Sequence, residues 1–230
     1  MSNRGVTILT GAASGIGRAA AEALAIKSHR LALIDQNAEA LSEVARVCRD
    51  HSPQSAGFVC DVANAAAVAR TCQQIRDEMG AASVLINCAG IGRHAPFLET
   101  EAAEWTRMFD VNVMGAVHFT RAVLPQMIEA RDGLIVNVGS RMAVDPHPNT
   151  TAYAASKAAL LAFGKSLALE VKQHGVKISL LAPGGTMTNI NTPKHPGYLE
   201  PAAIADAIAY ITENVGKAWV RDLVVLPLDF

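Results

Sequence analysis

The feature of this sequence that most restricts its fold is a series of short, almost wholly apolar runs that recur along the whole chain. They lie at residues 6–9, 31–34, 57–60, 84–86, 134–138, 178–182 and 223–226. A strand with one face in water alternates polar and apolar residues, whereas unbroken apolar runs indicate strands that are covered on both faces. Such strands are typical of parallel sheets that lie between two layers of helices.

Longer segments with helical periodicity separate these runs, at residues 15–26, 38–50, 64–79, 101–131, 151–174 and 201–214. In the first segment, Ile16, Ala20, Ala23 and Leu24 form one stripe along a helix. In the fourth, Pro125 predicts a bend or an early end, because proline has no N–H to donate. The alternation predicts an α/β fold, a Rossmann-like doubly wound parallel sheet of about seven strands with helices on both faces.

Length and composition exclude several classes of protein. No linker, repeat or low-complexity segment interrupts the chain, so we expect one domain over residues 1–230. The net charge of −1 argues against nucleic acid as a partner, and no apolar run approaches the roughly 18 residues of a membrane span. The four cysteines form no CxxC pair, so we expect no metal site and reduced thiols. With no signal-peptide pattern at the start, the expected location is the cytoplasm.

A glycine-rich turn, residues 10–17, joins the first predicted strand to the first predicted helix and contains Gly11, Gly15 and Gly17. Glycine lets the backbone turn tightly and approach a phosphate closely, while the N-terminus of the helix offers free N–H groups to it. Because the turn lies between a strand and a helix, a dinucleotide site is favoured over a purely structural turn.

Asp35 ends the second predicted strand, 18 positions after Gly17. A carboxylate there accepts hydrogen bonds from both hydroxyls of the adenosine ribose and repels a 2′-phosphate. No basic residue occurs at Ser14, Gln36 or Asn37, so the sequence predicts NAD in preference to NADP. The alternative is that Asp35 caps a helix or simply lies on the surface.

Tyr153 and Lys157 are four positions apart, which places a phenol and an ammonium on one face of a helix. A neighbouring cation stabilises the phenolate and lowers the tyrosine pKa, which would make Tyr153 a usable proton donor and acceptor. The spacing alone is weak evidence, because such pairs also arise by chance.

Together with the pair Asp61-Val62, residues 87–90, Asn112, Ser140 and residues 183–188, these motifs resemble the short-chain dehydrogenase/reductase family, in its basic single-domain branch. The resemblance covers nearly the whole chain. It implies that Ser140 holds the substrate oxygen, that Tyr153 transfers the proton and that Lys157 binds the nicotinamide ribose. It also implies that Asn112 holds a water linking Lys157 to solvent.

The resemblance further implies which residues contact the dinucleotide. They are Gly11, Ser14, Gly15, Ile16, Gly17, Asp35, Asp61, Val62, Asn87, Ala89, Gly90, Tyr153, Lys157, Pro183, Gly184, Thr186 and Thr188.

Substrate should bind in the loops that follow the fourth, fifth and sixth predicted strands, beyond the carboxyl ends of the sheet. The candidates there are Arg93, His94, Arg141, His147 and Met187. The basic members favour an anionic substrate, unless they are ordinary solvated loop charges. The lid, about residues 189–200, is short, which predicts an open pocket or one completed by a second subunit.

The resulting hypothesis is an oxidoreductase that moves a hydride between NAD(H) and a secondary alcohol or ketone. One alternative is a 3-oxoacyl thioester reductase that uses NADPH, and another is a non-catalytic NAD-binding sensor or scaffold. The expected partners are a small-molecule substrate and further copies of the chain, since the family commonly forms homodimers or homotetramers.

Overall fold

The computed structural model describes residues 5–190, 195–214 and 218–228 of the 230-residue chain. Within these residues, seven strands form one sheet, in the order β3-β2-β1-β4-β5-β6-β7, and every neighbouring pair is parallel. The strands are β1 (Val6–Thr10), β2 (Leu31–Asp35), β3 (Ala56–Val59), β4 (Ala82–Asn87), β5 (Gly133–Val138), β6 (Val176–Pro183) and β7 (Asp222–Val225). The predicted doubly wound sheet is confirmed. Its strand order reverses direction between β1 and β4, where such sheets bind their ligands.

The described residues include seven α-helices: α1 (Gly15–Ile26), α2 (Ala38–Arg49), α3 (Ala65–Met79), α4 (Ala102–Phe109), α5 (Gly115–Ala130), α6 (Thr151–Val171) and α7 (Pro201–Glu213). They surround the sheet, and α4 packs on α6. Successive strand residues enter opposite cores. Leu9 packs in the core that includes α1, α2 and α7, whereas Ile8 packs in the core that includes α3 and α5. Because side chains alternate across a sheet and both faces are buried, the inner strands are apolar at most positions and do not alternate with polar residues.

The predicted helix at residues 101–131 is interrupted in the structure. It consists of α4, a π-helical turn over Asp110–Met114, and α5. The interruption is not at Pro125, since α5 continues through this residue to Ala130. Pro125 is exposed, so the carbonyl oxygen that loses its helical partner can bind water instead. The π-helical turn contains Asn112 and therefore belongs to the site described below.

Several predicted ends also differ from the structure. Residues 172–174 form a 3₁₀ turn after α6, and β7 begins and ends one residue earlier than predicted. All four cysteines are free, and Cys48, Cys60 and Cys72 are buried. None of the described helices has both the length and the apolar character needed to cross a lipid bilayer.

Candidate active site

A cavity of about 440 Å³ lies along the carboxyl ends of the strands, and most of the residues predicted for the site line it. The predicted residues in its wall are Gly11, Ser14, Gly15, Ile16, Gly17, Asp35, Asp61, Val62, Ala89, Gly90, Ser140, Tyr153, Lys157, Pro183, Gly184, Thr186 and Thr188. Of the residues predicted to be catalytic or to contact the dinucleotide, Asn87 and Asn112 do not line the cavity. The fold therefore brings the glycine-rich turn and the Tyr153–Lys157 pair into one space.

The glycine-rich turn is compact because its glycines contact backbone. A Cβ on Gly17 would collide with the carbonyl oxygen of Gly11. Gly11 has φ of +70°, and a Cβ there would lie 2.8 Å from Cα of Ala89. Helix α1 then begins with Ser14 as its N-cap, and neither a Ser14 capping bond nor an acidic residue occurs in its first described turn. The N–H groups of this turn are thus available to an anionic group such as a phosphate.

Asp35 is held at the cavity by two backbone N–H groups. Its Oδ2 accepts from the N–H of Ala13 at 3.1 Å, and its Oδ1 accepts from the N–H of Asn37 at 3.0 Å. The residue that caps α2 is Asn37, whose side chain accepts from the N–H of Ala40 at 3.1 Å. The alternative that Asp35 serves as a helix cap is therefore wrong. Its carboxylate lines the cavity beside Gln36, as the prediction requires.

Asp61 has a partner that the sequence did not suggest. Its Oδ2 lies 3.2 Å from Nη2 of Arg107, and its Oδ1 accepts from the N–H of Ala63 at 3.0 Å. Arg107 lies on α4, 46 positions further along the chain, and lines the same cavity. No spacing rule links two residues so far apart. The guanidinium of Arg107 is a planar group suited to stacking on an aromatic ring.

Tyr153 is buried on α6, with 7% of its surface exposed. It forms a hydrogen bond with the side chain of Ser140, whose Oγ also accepts from the N–H of Met142 at 3.1 Å. A Cβ on Gly92 would lie 2.9 Å from Cδ2 of the Tyr153 ring, so the loop after β4 packs directly on this ring. The predicted catalytic serine and tyrosine are thus in contact, and glycine at position 92 allows the close packing.

Lys157 is also buried, with 4% of its surface exposed. Its Nζ donates to the carbonyl oxygen of Val138 at 3.0 Å and lies 5.9 Å from the centroid of the Tyr153 ring. Burial lowers the pKa of Lys157 to about 8. Burial also raises the pKa of Tyr153 to about 12, against the opposing effect of its hydrogen bond with Ser140. The lowered tyrosine pKa that we expected does not occur, because an apolar environment disfavours charge on both groups.

Asn112 lies in the π-helical turn, and 1% of its surface is exposed. Its Oδ1 accepts from the N–H of Ile91 at 2.8 Å, and its Nδ2 donates to the carbonyl oxygen of Ile91 and to Oγ of Ser156, both at 2.9 Å. A Cβ on Gly90 would lie 3.3 Å from both Asn112 Oδ1 and Lys157 Nζ. Asn112 therefore fixes the loop beside Lys157, and its role in holding a water stays a prediction. Turns of this kind often occur at functional sites.

Asn87 lies beneath the cavity rather than in its wall. It is 4% exposed, and its Nδ2 donates to Oδ1 of Asn137 at 2.9 Å, which joins the ends of β4 and β5. The loop after β4 is attached to the glycine-rich turn through Thr10, whose Oγ1 accepts from the N–H groups of Cys88 and Ala89 at 3.1 Å. Asn87 thus supports the site from beneath. It was expected to contact the cofactor directly, but it is not among the residues that line the cavity.

The substrate candidates divide into two groups. Arg141 and His147 line the cavity, whereas Arg93, His94 and Met187 do not. Arg93 is exposed and forms an ion pair with Glu104 on α4, which holds its side chain outside the cavity. The ring of His94 lies 6.4 Å from that of Tyr153, centroid to centroid. Apolar residues that line the cavity include Ile91, Met142, Ile190 and Tyr198.

The predicted lid at residues 189–200 is described only in part, since residues 191–194 lie outside the described residues. The two sides of this segment are joined by backbone hydrogen bonds. The N–H of Met187 donates to the carbonyl oxygen of Leu199 at 2.8 Å, and the N–H of Leu199 donates to the carbonyl oxygen of Gly185 at 2.9 Å. Met187 is therefore part of a backbone bridge to the far side of the lid segment rather than part of the cavity wall.

Comparisons with known proteins agree with this architecture. Among curated relatives, 2,3-dihydro-2,3-dihydroxybenzoate dehydrogenase of Bacillus subtilis is 35% identical over 80% of this chain and 71% of its own length. D-threitol dehydrogenase of Mycolicibacterium smegmatis is 36% identical over the same shares. Among solved structures, the alcohol dehydrogenase of the archaeon Thermococcus sibiricus, complexed with 5-hydroxy-NADP, superposes with a TM-score of 0.90. It is 26% identical over 97% of this chain and 96% of its own.

The family model described as short chain dehydrogenase matches residues 5–198, which is most of the chain and includes the glycine-rich turn, Ser140, Tyr153 and Lys157. The family predicted from the sequence motifs is thus confirmed, and the chain is an oxidoreductase that belongs to the short-chain dehydrogenase/reductase family.

Proposed function

We propose that this protein moves a hydride between NAD(H) and a secondary alcohol or its ketone, with Tyr153 as the general acid and base. The observation that carries the proposal is one cavity with two chemically distinct ends. At one end lie the open N-terminus of α1 and the carboxylate of Asp35, and at the other lie Ser140, Tyr153 and Lys157. The bound nicotinamide would accept or supply the hydride, and the protein supplies orientation and a proton.

The residues of the catalytic end have separate tasks. The Ser140 hydroxyl holds the substrate oxygen and stabilises the negative charge that develops on it. Tyr153 donates its proton to that oxygen during ketone reduction, and its deprotonated form takes the hydroxyl proton during alcohol oxidation. Because burial raises its pKa to about 12, Tyr153 is protonated at neutral pH, which is the form that donates a proton to a ketone. Lys157, whose pKa burial lowers to about 8, can exchange a proton near neutral pH.

The preference for NAD over NADP rests on Asp35. The carboxylate is held by the N–H groups of Ala13 and Asn37, and the neighbouring lining residues Ser14 and Gln36 carry no positive charge. A 2′-phosphate would bring like charge to this carboxylate. The structure of the archaeal alcohol dehydrogenase contains an NADP derivative, so membership of the family does not by itself predict NAD. The cofactor preference of this protein has to be measured directly. Fluorescence titration with NADH and with NADPH tests the preference, and tighter binding of NADPH would overturn it.

The relatives do not indicate one substrate either, because one is named for a dihydroxybenzoate and the other for D-threitol. The test of the proposed activity is a set of secondary alcohols and ketones, followed by NADH absorbance. A non-catalytic sensor would bind NADH tightly and turn over none of them. A 3-oxoacyl thioester reductase would act on a thioester probe with NADPH and not with NADH.

We also propose that the protein is a homodimer or homotetramer. Strand β7 lies at the edge of the sheet, and the apolar residues Val224, Leu226 and Leu228 on and after it are exposed. On α6, Leu169 is 80% exposed. Apolar surface of this kind is commonly buried in an oligomer. Sedimentation velocity at micromolar concentration tests the proposal, and a monomer would contradict it.

A further inference from the structure

Carboxylates line only one end of the described cavity, where Arg107 also lies and pairs with Asp61. The carboxylates are Asp35 and Asp61, and both lie on the side of the sheet where the adenosine of a dinucleotide would bind. The side with Ser140 and Tyr153 is lined by the cations Arg141 and Lys157, with His147 beside them. Asp145 and Glu99, the acidic residues of the neighbouring loops, do not line the cavity. The reacting part of a substrate is therefore surrounded by positive charge without a compensating carboxylate in the described wall.

Arg141 is the best placed of these cations. It directly follows Ser140 and begins a 3₁₀ turn, Arg141–Ala143, that the Ser140 side chain caps. Its Nη2 lies 2.8 Å from Oδ2 of Asp145, yet the two side chains differ in exposure, 20% for Arg141 and 66% for Asp145. Asp145 is therefore the solvent-exposed member of the pair, and Arg141 is the member that lines the cavity. Because an ion pair with an exposed carboxylate contributes only about 0–1 kcal/mol, a substrate carboxylate can compete with Asp145 for the guanidinium of Arg141.

Two histidines lie near Arg141 and Tyr153. His147 lines the cavity, and its carbonyl oxygen accepts from Oγ1 of Thr150 at 2.6 Å, which fixes the loop before α6. The ring of His94 packs 6.4 Å from that of Tyr153, and its Nε2 is buried without a hydrogen-bond partner among the described residues.

From this arrangement we propose that the natural substrate carries a carboxylate, which Arg141 and His147 hold a few atoms from the carbon that reacts beside Tyr153. The inference rests on the proposed function and narrows it to one substrate class. An arginine binds a carboxylate through two parallel hydrogen bonds, which fixes orientation as well as charge. Since Arg141 adjoins Ser140 in a capped turn, binding the carboxylate at Arg141 also positions the carbonyl oxygen at Ser140.

The test uses three ketones built on the same cyclohexanone ring: 4-oxocyclohexanecarboxylate, its methyl ester, and cyclohexanone. With NADH saturating, kcat/KM for the acid should exceed that for the ester by about 10- to 100-fold, the effect of one charged hydrogen-bonding group. Arg141→Met should abolish this preference, so the ratio of kcat/KM for the acid to that for the ester should fall to about 1, whatever happens to the two absolute values. Arg141→Lys should retain part of the preference for the acid, because the positive charge remains while the two parallel hydrogen bonds of the guanidinium are lost.

Arg93→Met is the matched control. Arg93 belongs to a neighbouring loop, is exposed and pairs with Glu104 outside the cavity, so its loss should leave the preference for the acid unchanged. Equal kcat/KM for the acid and the ester in the wild-type protein would overturn the inference. So would a preference that survives Arg141→Met or disappears equally in Arg93→Met. A larger enhancement for dihydroxyacetone phosphate over dihydroxyacetone than for the acid over the ester would reassign the site to phosphate and also overturn it.

Binding separates this inference from the proposed function. If none of the ketones reacts, calorimetric titration of the NADH complex with cyclohexanecarboxylate and with cyclohexanecarboxamide decides the matter. Tighter binding of the carboxylate, lost in Arg141→Met, supports the anion site, and equal or absent binding of both overturns it. Failure of NADH itself to bind would instead overturn the proposed function, which is a distinguishable result.

Discussion

The two ends of the cavity are built in different ways. At the adenosine end, the groups that face the cavity are the backbone of the glycine-rich turn, the N-terminus of α1 and the carboxylate of Asp35, which is oriented by N–H groups from two loops. At the catalytic end, Tyr153 and Lys157 are buried side chains that contact residues from the loops after β4 and β5. One end is partly exposed backbone, and the other is a buried polar cluster.

This difference teaches that binding and turnover should be separable. Backbone groups at a helix N-terminus keep their geometry when distant side chains change. A buried polar cluster instead has shifted pKa values and depends on each member, because charge and hydrogen bonding matter more away from water. Changes at the catalytic end should therefore affect rate and pH dependence, and changes at the adenosine end should affect cofactor affinity. The following predictions test that separation.

The largest effect is expected from Tyr153→Phe, which removes the transferable proton and keeps the ring. Turnover should fall by about 10²- to 10⁴-fold, the range for loss of a general acid. The affinity for NADH, measured by fluorescence titration, should not change. A variant with near-normal turnover, or one that fails to bind NADH while remaining folded, would contradict the separation of the two ends.

Lys157→Met should raise stability and remove turnover at once. Below about pH 8, Lys157 is charged in both the folded and the unfolded chain, so folding bears the full cost of burying the charge. Between about pH 8 and the ordinary value of 10.5 the folded protein loses the proton first, and that cost fades. At pH 7, removing the buried charge should raise the unfolding free energy of the variant by up to about 3 kcal/mol. Loss of the hydrogen bond to Val138 should offset about 1 kcal/mol of this gain.

The measurement is urea unfolding of both proteins at several pH values from 7 to 10. The difference between the two curves reports Lys157 together with its interaction with Cys88, because other buried thiols such as Cys72, whose pKa burial raises to about 12, are common to both. The advantage of the variant should shrink as the pH rises above about 8. An advantage that does not vary with pH would show that the ammonium carries no burial cost.

Asp35→Ala combined with Gln36→Arg tests the adenosine end. The change removes the carboxylate that repels a 2′-phosphate and adds a cation to bind it, so the ratio of NADPH to NADH affinity should rise by about 10- to 100-fold. The maximal rate with saturating cofactor should change little, since the catalytic end is untouched. Asp35→Ala alone is the control that separates relief of repulsion from new attraction. An unchanged affinity ratio in both variants would remove Asp35 as the determinant.

The smallest effects are expected from two helix caps that match in chemistry. Asn37 caps α2 and Asn64 caps α3, each accepting from a backbone N–H three positions on, at 3.1 and 3.0 Å. Asn37→Ala and Asn64→Ala should each cost about 1 kcal/mol of unfolding free energy. Only Asn37→Ala should weaken NADH binding, because losing the cap frees the backbone of residue 37, whose N–H orients Asp35. Equal NADH affinity in the two variants would show that the β2–α2 loop holds Asp35 without the cap.

Sequence reasoning found the sheet, its approximate strand limits and most of the cavity wall, because each of these has a local signal. It did not find the π-helical turn at Asp110–Met114, since the helical periodicity continues on both sides and Pro125 seemed the stronger interruption. It also missed the contact of Arg107 with Asp61 and assigned Asn87 to the cavity rather than to the sheet beneath it. These are long-range contacts, and local patterns carry no information about them.

The sequence by itself determined the architecture and the chemistry available. Apolar runs require strands buried on both faces, the glycines permit the turn, and Asp35, Ser140, Tyr153 and Lys157 supply the functional groups. Only the tertiary structure decided the environment of those groups. Burial raises the pKa of Tyr153 and lowers that of Lys157. The spacing of the two residues had instead suggested a lowered pKa for Tyr153. The reason is that ionisation depends on solvation and on every nearby charge, and these are set by residues that meet only when the chain folds.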